Sequence, residues 1–176
     1  LTWGKAVGRI DVSAEWLLAW IVNFASRERI NRHLDSEEDM PLESYAVGRS
    51  GRGKINAAGI RFPRPLDNRR FTNWCVWDSF RDGVAGEEGY MFCFAGAEEF
   101  DAAHAKGASH RDIIGRNALS TIFHKDWNMV DGTTRGAYVI LKLAENVCEW
   151  TFVQQADLKG RIPPLVTELR LADLLM

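Results

Sequence analysis

The chain is 176 residues long, 46% hydrophobic and 26% charged, with 22 basic against 24 acidic side chains and a formal net charge of -2. That length and apolar content suit one domain with its own core and exclude a disordered tail, and the near-neutral charge excludes a wholly basic nucleic-acid binder while leaving local patches open. Seven Trp and nine Phe stand against three Tyr, an excess of large rings that must face a core, a cavity or a partner.

Residues 3–10 (WGKAVGRI) read as a strand ended by Asp11-Val12-Ser13. Ser13 is a good helix N-cap, with Glu15 placed to suit the helix dipole. Trp16, Leu17, Trp20, Ile21 and Phe24 follow at helical spacing, which predicts an amphipathic helix over about 14–25. A polar helical piece from Ser26 to about Leu34 runs into the acidic stretch 35–39, and Pro41 closes it. LESYAV (42–47), the turn GRSGRG (48–53) and KINAAGIRF (54–62) form a predicted β-hairpin. FPRPLDN (62–68) carries two prolines and is no central strand. FTNWCVWDSF (71–80) and GYMFCFAG (89–96) are strong strands, joined by the turn RDGVAGEE. Residues 97–133 are the least regular, open to short helix, strand or loop. RGAYVILKLA (135–144) and CEWTFVQQA (148–156) are strands around a Glu145-Asn146 turn. Asp157 to Gly160 then turns the chain, and Pro163-Pro164 opens a final apolar helix. One strand, a helix pair, a run of antiparallel strands and a terminal helix give an α+β expectation, with the sheet gripping the last helix.

Three cysteines cannot all pair, and no CxxC is present; buried thiols in a reducing compartment are expected. The longest apolar run, Trp16 to Val22, is far short of the roughly 20 residues that cross a bilayer. With no charged-then-apolar leader visible, a cytoplasmic protein is expected. The chain opens at Leu1 rather than methionine, so one domain over 1–176, truncated at both ends, is expected.

Several motifs invite chemistry and lose it in context. Gly48 to Lys54 matches the opening of a phosphate-binding loop, but Ile55 stands where a magnesium-holding hydroxyl belongs, and a strand follows instead of a helix. His110-Arg111-Asp112 with Asn117 copies a kinase catalytic-loop spacing, without the glycine loop, strand lysine or Asp-Phe-Gly that a kinase needs. The four histidines include no i, i+4 zinc pair. No nucleophile constellation, metal site or cofactor site is expected. Between Ser44 and Thr72 seven basic residues stand against Asp67 alone. Arg49, Arg52 and Lys54 at the hairpin suit either an anionic membrane surface or a solvated sheet edge. No aromatic stacking platform interleaves with them, so no nucleic-acid partner is expected. Strand alternation puts Phe71, Asn73, Cys75 and Trp77 on one face and Thr72, Trp74, Val76 and Phe80 on the other. Rings on both faces fit a two-sided core or a lined cavity.

PRPLDNRRF (63–71) resembles the P-L-x-N-R-x-F segment that starts a central strand of StAR-related lipid-transfer (START) domains. ADLKGRIPP (156–164) resembles that family's D-x-K-G-x-[IL]-P junction between last strand and C-terminal helix. The resemblance implies a helix-grip fold: a curved antiparallel sheet wrapped around a C-terminal helix, over a tunnel that binds a lipid or similar apolar molecule without turnover. Transfer or sensing of that ligand, transient contact with an anionic membrane and a monomeric state go with it. Both motifs mark the fold, since Asp157 and Gly160 suit a tight turn, while Asn68 and Arg69 can satisfy loop carbonyls. Where sterol-binding members carry a buried acid–arginine pair, this chain has Asn56 and Cys75, so the resemblance does not extend to sterol.

Tunnel-lining candidates by strand alternation are Asn56, Asn73, Cys75, Trp77, Phe92, Phe94, Trp150 and Phe152. Two alternatives stay open. One is a helix-grip enzyme such as a cyclase or aromatase, for which Asn73, Asp78, His124 and Arg135 are the thin acid–base candidates. The other is a regulatory interaction module of a larger protein, with the cavity closed.

Overall fold

A computed structural model describes residues 2–35, 42–46, 51–62, 64–81, 86–103, 129–160 and 162. The elements run β1 (Thr2–Ile10), α1 (Ala14–Val22), α2 (Arg27–Asp35), β2 (Leu42–Ala46), β3 (Gly53–Ile60), β4 (Asn68–Arg81), β5 (Glu88–Gly96), α3 (Ala97–Ala103), β6 (Met129–Ala144) and β7 (Val147–Asp157). They form an α+β fold on one seven-stranded sheet, ordered β1-β7-β6-β5-β4-β3-β2. From β2 to β7 each strand pairs antiparallel with the next in sequence, and β1 closes the order by pairing antiparallel with β7.

The sheet curves for a local reason. β5 stops at Gly96, opposite Asn73. Beyond that point Asn68–Phe71 of β4 pairs directly, in parallel, with Met129–Gly132 of β6. Two strands that elsewhere flank β5 come within one strand spacing, about 4.8 Å, so the sheet must bend inward there. This pairing also explains two differences from the sequence reading. β4 begins at Asn68 rather than Phe71, and β6 begins at Met129, inside the stretch read as irregular. Each extension has its hydrogen-bond partner far away in sequence, where no local pattern points to it. α3 occupies the head of that stretch, and Asp101 Oδ1 accepts from Trp74 Nε1 (3.3 Å) on the outer face. Val76 and Met91 on that face are 48% and 43% exposed.

α1 packs on the inner face. Ser13 caps it, its hydroxyl accepting from the Trp16 amide (3.1 Å). Ala14 and Ile21 are buried with Cys75, Phe92, Ile140 and Cys148. The helix stops at Val22, short of the residue 25 expected from spacing. Lys54 Nζ donates to the Val22 carbonyl (3.1 Å) and the Asn23 amide to Ala19 (2.9 Å), so the final turn is closed by a strand lysine. At the other end Tyr90 donates to Glu15 (3.2 Å), with Lys142 Nζ 3.7 Å from the same carboxylate.

A second cluster joins Phe62, Phe71 and Leu158 at the far end of the sheet. Here the two family-like segments meet. Arg69, 3% exposed, donates to the carbonyls of Leu158 (2.6 Å) and Lys159 (3.2 Å), and also to that of Asp67. Asn68 Oδ1 accepts the Phe62 amide (3.2 Å), and Asp157 Oδ1 accepts that of Lys159 (2.9 Å). Gly160 has φ of 75°, and a Cβ there would lie 3.3 Å from Arg69 Nη2. The positive φ favours glycine at this turn, and an added Cβ would press on the Arg69 guanidinium. The expected C-terminal helix, and residues 104–128 with His104, His110 and His124, lie outside the described residues.

Candidate functional site: a mixed cavity on the inner face

Between the concave face and the α1–α2 pair is a cavity of about 220 Å³. Phe92 and Phe94 of β5, Tyr138 of β6 and Phe152 of β7 form an aromatic wall on one side of it. Tyr138 stacks on Phe152 with centroids 4.2 Å apart and meets Phe92 edge-on at 6.2 Å. Alternation along adjacent strands puts these rings on one face, and the cross-strand pairing Tyr138↔Phe152 and Tyr138↔Phe92 sets them in register. Ile21 and Phe24 from the helical side, and Ala58, Ile60 and Phe71 from the sheet, complete the apolar lining.

A neutral polar row crosses the same floor. Ser44 stands opposite Asn56, and Asn56 opposite Asn73, across β2, β3 and β4. Ser44 Oγ donates to Asn56 Oδ1 (2.8 Å). Where β5 has ended, Asn73 reaches Thr134 of β6. With the amide oxygen toward Thr134, the hydroxyl donates to it (2.8 Å) and the nitrogen donates to the Thr134 and Thr72 carbonyls (3.2 and 3.3 Å). Gln154 of β7 lines the cavity as well. Uncharged amides and a hydroxyl, largely paired with each other, can hold a polar group of a ligand; they cannot exchange protons with it near neutral pH.

Six of the eight candidates from strand alternation surround this space: Asn56, Asn73, Cys75, Phe92, Phe94 and Phe152. Trp77 and Trp150 are not among its lining residues. Trp77 stacks on Phe92 from the α1 side (6.3 Å), and Trp150 lies against Gly8 of β1. Alternation gives a face but not a position along it, and the cavity takes only the middle of each strand. Burial pushes the Cys75 thiol up to about 12, so it is a neutral wall atom and no nucleophile. Of the acid–base candidates besides Asn73, Asp78 is exposed and paired with Arg52, while Arg135 donates to Gln155 (2.6 Å) with its guanidinium 5.9 Å from the Trp3 ring. Neither lines the cavity. Among the described residues no cluster of His, Cys, Asp or Glu suits a metal ion, and no helix is long and apolar enough to cross a membrane.

The hairpin cations part company. Arg52 is exposed beside Asp78, Lys54 is turned inward onto α1, and Arg49 lies outside the described residues. Other lining residues, Tyr138, Thr134 and Gln154 among them, were not named as candidates, and the least expected is an arginine. Arg29, on the polar helix α2, lines the space with its guanidinium 4.8 Å from the Trp20 ring and 5.8 Å from Phe24. Its signal was a basic residue nine positions after Trp20 and five after Phe24, but α2 is so rich in charge that no single arginine stands out.

No model of a known protein family matches the sequence, and no curated protein does. Solved structures do match the fold. Human STARD10 superposes with a TM-score of 0.59 at 17% identity, over 97% of this chain and 58% of that one. Human StAR-related lipid transfer protein 5 gives 0.61 at 10% identity, over 98% and 69%. A STAR-related lipid transfer protein fragment from Xanthomonas axonopodis gives 0.58 at 12% identity, over 97% and 77%. The chain thus spans 58% of the length of the STARD10 chain. The curved antiparallel sheet, the inner-face helix and the Arg69-clasped turn belong together: the chain has the START-type helix-grip fold.

Proposed function

We propose that this domain binds one apolar or amphipathic small molecule, lipid in the broad sense, non-covalently on the concave face. The observation that carries the reading is the 220 Å³ cavity, lined by a wall of aromatic rings and a self-paired row of neutral polar groups. Apolar walls with a few placed polar groups are what ligand sites look like. That volume is below the roughly 300–1,000 Å³ of sites for drug-sized ligands, which favours a single-chain or compact ring ligand over a two-chain lipid. The structural likeness to proteins named for lipid transfer supports the same class of ligand. Asn56, Asn73, Cys75, Phe92, Phe94 and Phe152 make up the binding wall, and Trp77 and Trp150 flank it on the same face.

Transfer or sensing of the ligand by a cytoplasmic monomer extends the reading, with three free thiols as support for a reducing compartment. Arg52 then touches anionic membrane transiently, without Lys54, which α1 holds. Native mass spectrometry of the purified protein after exposure to a lipid mixture tests the central claim. One apolar adduct per chain is expected, and repeated absence of any adduct overturns it.

A further inference from the structure

Arg29 and Arg32 lie on the same helix and meet different fates. Arg32 donates to Glu28 (2.6 Å) one turn back. Arg29 has only ring faces, Trp20 and Phe24, and no carboxylate among the described residues. Its guanidinium lines the cavity, as does Tyr138, whose hydroxyl has no hydrogen-bond partner among the described residues. The two sense each other: burial of Arg29 disfavours its charge, and its charge in turn opposes the rise that burial imposes on the Tyr138 phenol. A half-buried cation without a counter-ion is costly, and a neighbouring phenol adds a second donor. The Asn73–Thr134 pair sits four residues from Tyr138 along β6, about 13 Å away at strand rise. The space therefore has a cationic, donor-rich end beside Phe92 and Phe152 and a neutral end, with Phe94 between.

We propose that the ligand is a single-chain amphiphile with an anionic head group, bound by Arg29 and the Tyr138 hydroxyl, its apolar body lying along Phe92, Phe94 and Phe152. This rests on the cavity being the ligand site. The shared chemistry is an anionic oxygen group, carboxylate or phosphate monoester. Either accepts from a guanidinium in charge-assisted hydrogen bonds, which an alcohol head cannot match.

The test measures Kd for dodecanoate, dodecyl phosphate and 1-dodecanol, below micelle formation at pH 8, by tryptophan fluorescence. At least one anion is expected to bind the unaltered protein about tenfold or more tightly than dodecanol, the scale of a hydrogen bond to a charged group. Which anion leads identifies the head group. Arg29→Met should abolish that preference, weakening the anions far more than dodecanol, and Arg29→Lys should keep part of it. Tyr138→Phe, which keeps the stacked ring, should weaken the anion more than the alcohol, and it serves if Arg29→Met fails to fold. Equal binding of alcohol and both anions, or a preference that survives Arg29→Met, overturns the head-group assignment and leaves ligand binding standing. Failure of all three to bind overturns the single-chain amphiphile assignment, while native mass spectrometry on the lipid mixture decides whether the cavity takes a ligand at all.

Discussion

The Arg69 guanidinium is surrounded by backbone carbonyls, and this makes it the fastener of the fold. It ties the start of β4 to the turn after β7, 89 residues away, through the Leu158 and Lys159 oxygens. Replacing it with Met strips charged donors from a buried site and leaves those acceptors without partners, at a cost of about 3 kcal/mol. Gly160→Ala should cost about 1–2 kcal/mol through its positive φ alone. Urea denaturation measures both, and an Arg69→Met variant within about 0.5 kcal/mol of the parent would refute the fastener role. Cys75 allows a pH argument. Its folded pKa of about 12 lies above the ordinary 9.0 because burial disfavours the thiolate. The proton is thus held more tightly in the folded state, so this stabilising effect is complete below pH 9.0 and disappears as pH climbs to about 12. At pH 8 iodoacetamide should spare Cys75 and Cys148, both buried, and modify the half-exposed Cys93 first. Native-state labelling of Cys75 ahead of Cys93, located by peptide mapping, would contradict this placement.

The junction of β4 with β6 decides whether the sheet closes tightly enough to make a cavity floor. Gly132 of β6 lies opposite Phe71 of β4, and a Cβ there would come within 2.4 Å of the Phe71 ring. Gly132→Ala therefore pushes a cavity-lining ring out of place, costing about 1–3 kcal/mol as an overpacked site and weakening ligand binding. If chemical denaturation and ligand titration both match the parent, the junction is not what shapes the floor. This pairing also marks where sequence stops being informative. Every strand that pairs antiparallel through a short turn was readable from alternation and turn residues, as was α1 from Ser13 and its ring spacing. The β4–β6 contact spans some 60 residues and leaves its strand ends without local signal. Site legibility divides similarly. Asn56, Asn73 and Cys75 follow from parity on β3 and β4. Thr134 lies one residue ahead of the strand read at 135–144, opposite Ala156 near the end of the β6–β7 ladder, and Arg29 matters only because α2 folds over the rings before it.

At the scale of the whole molecule, stability and ligand binding draw on the same space. Sheet, α1 and α2 converge on a volume that none of them fills. A ligand that binds only the folded state stabilises it by mass action, about 2.7 kcal/mol at a hundredfold excess over Kd. For a chain in this size range, roughly 2–4 °C per kcal/mol gives a Tm rise of about 5–10 °C. Filling the space from within should separate the two roles. Ala58 on β3 lines the cavity opposite Phe71. Ala58→Leu adds apolar volume where the structure has room, so the Tm of the unliganded protein should hold or rise while the ligand-dependent increment vanishes. Val76→Ala, on the exposed outer face, should leave the increment intact. Thermal scans with and without the amphiphile that stabilises the parent decide the matter. An Ala58→Leu protein that keeps its full increment places the ligand elsewhere on the molecule. One that loses the increment while staying as stable as the parent shows that the concave face is kept open for an occupant, and that its packing is completed by the ligand.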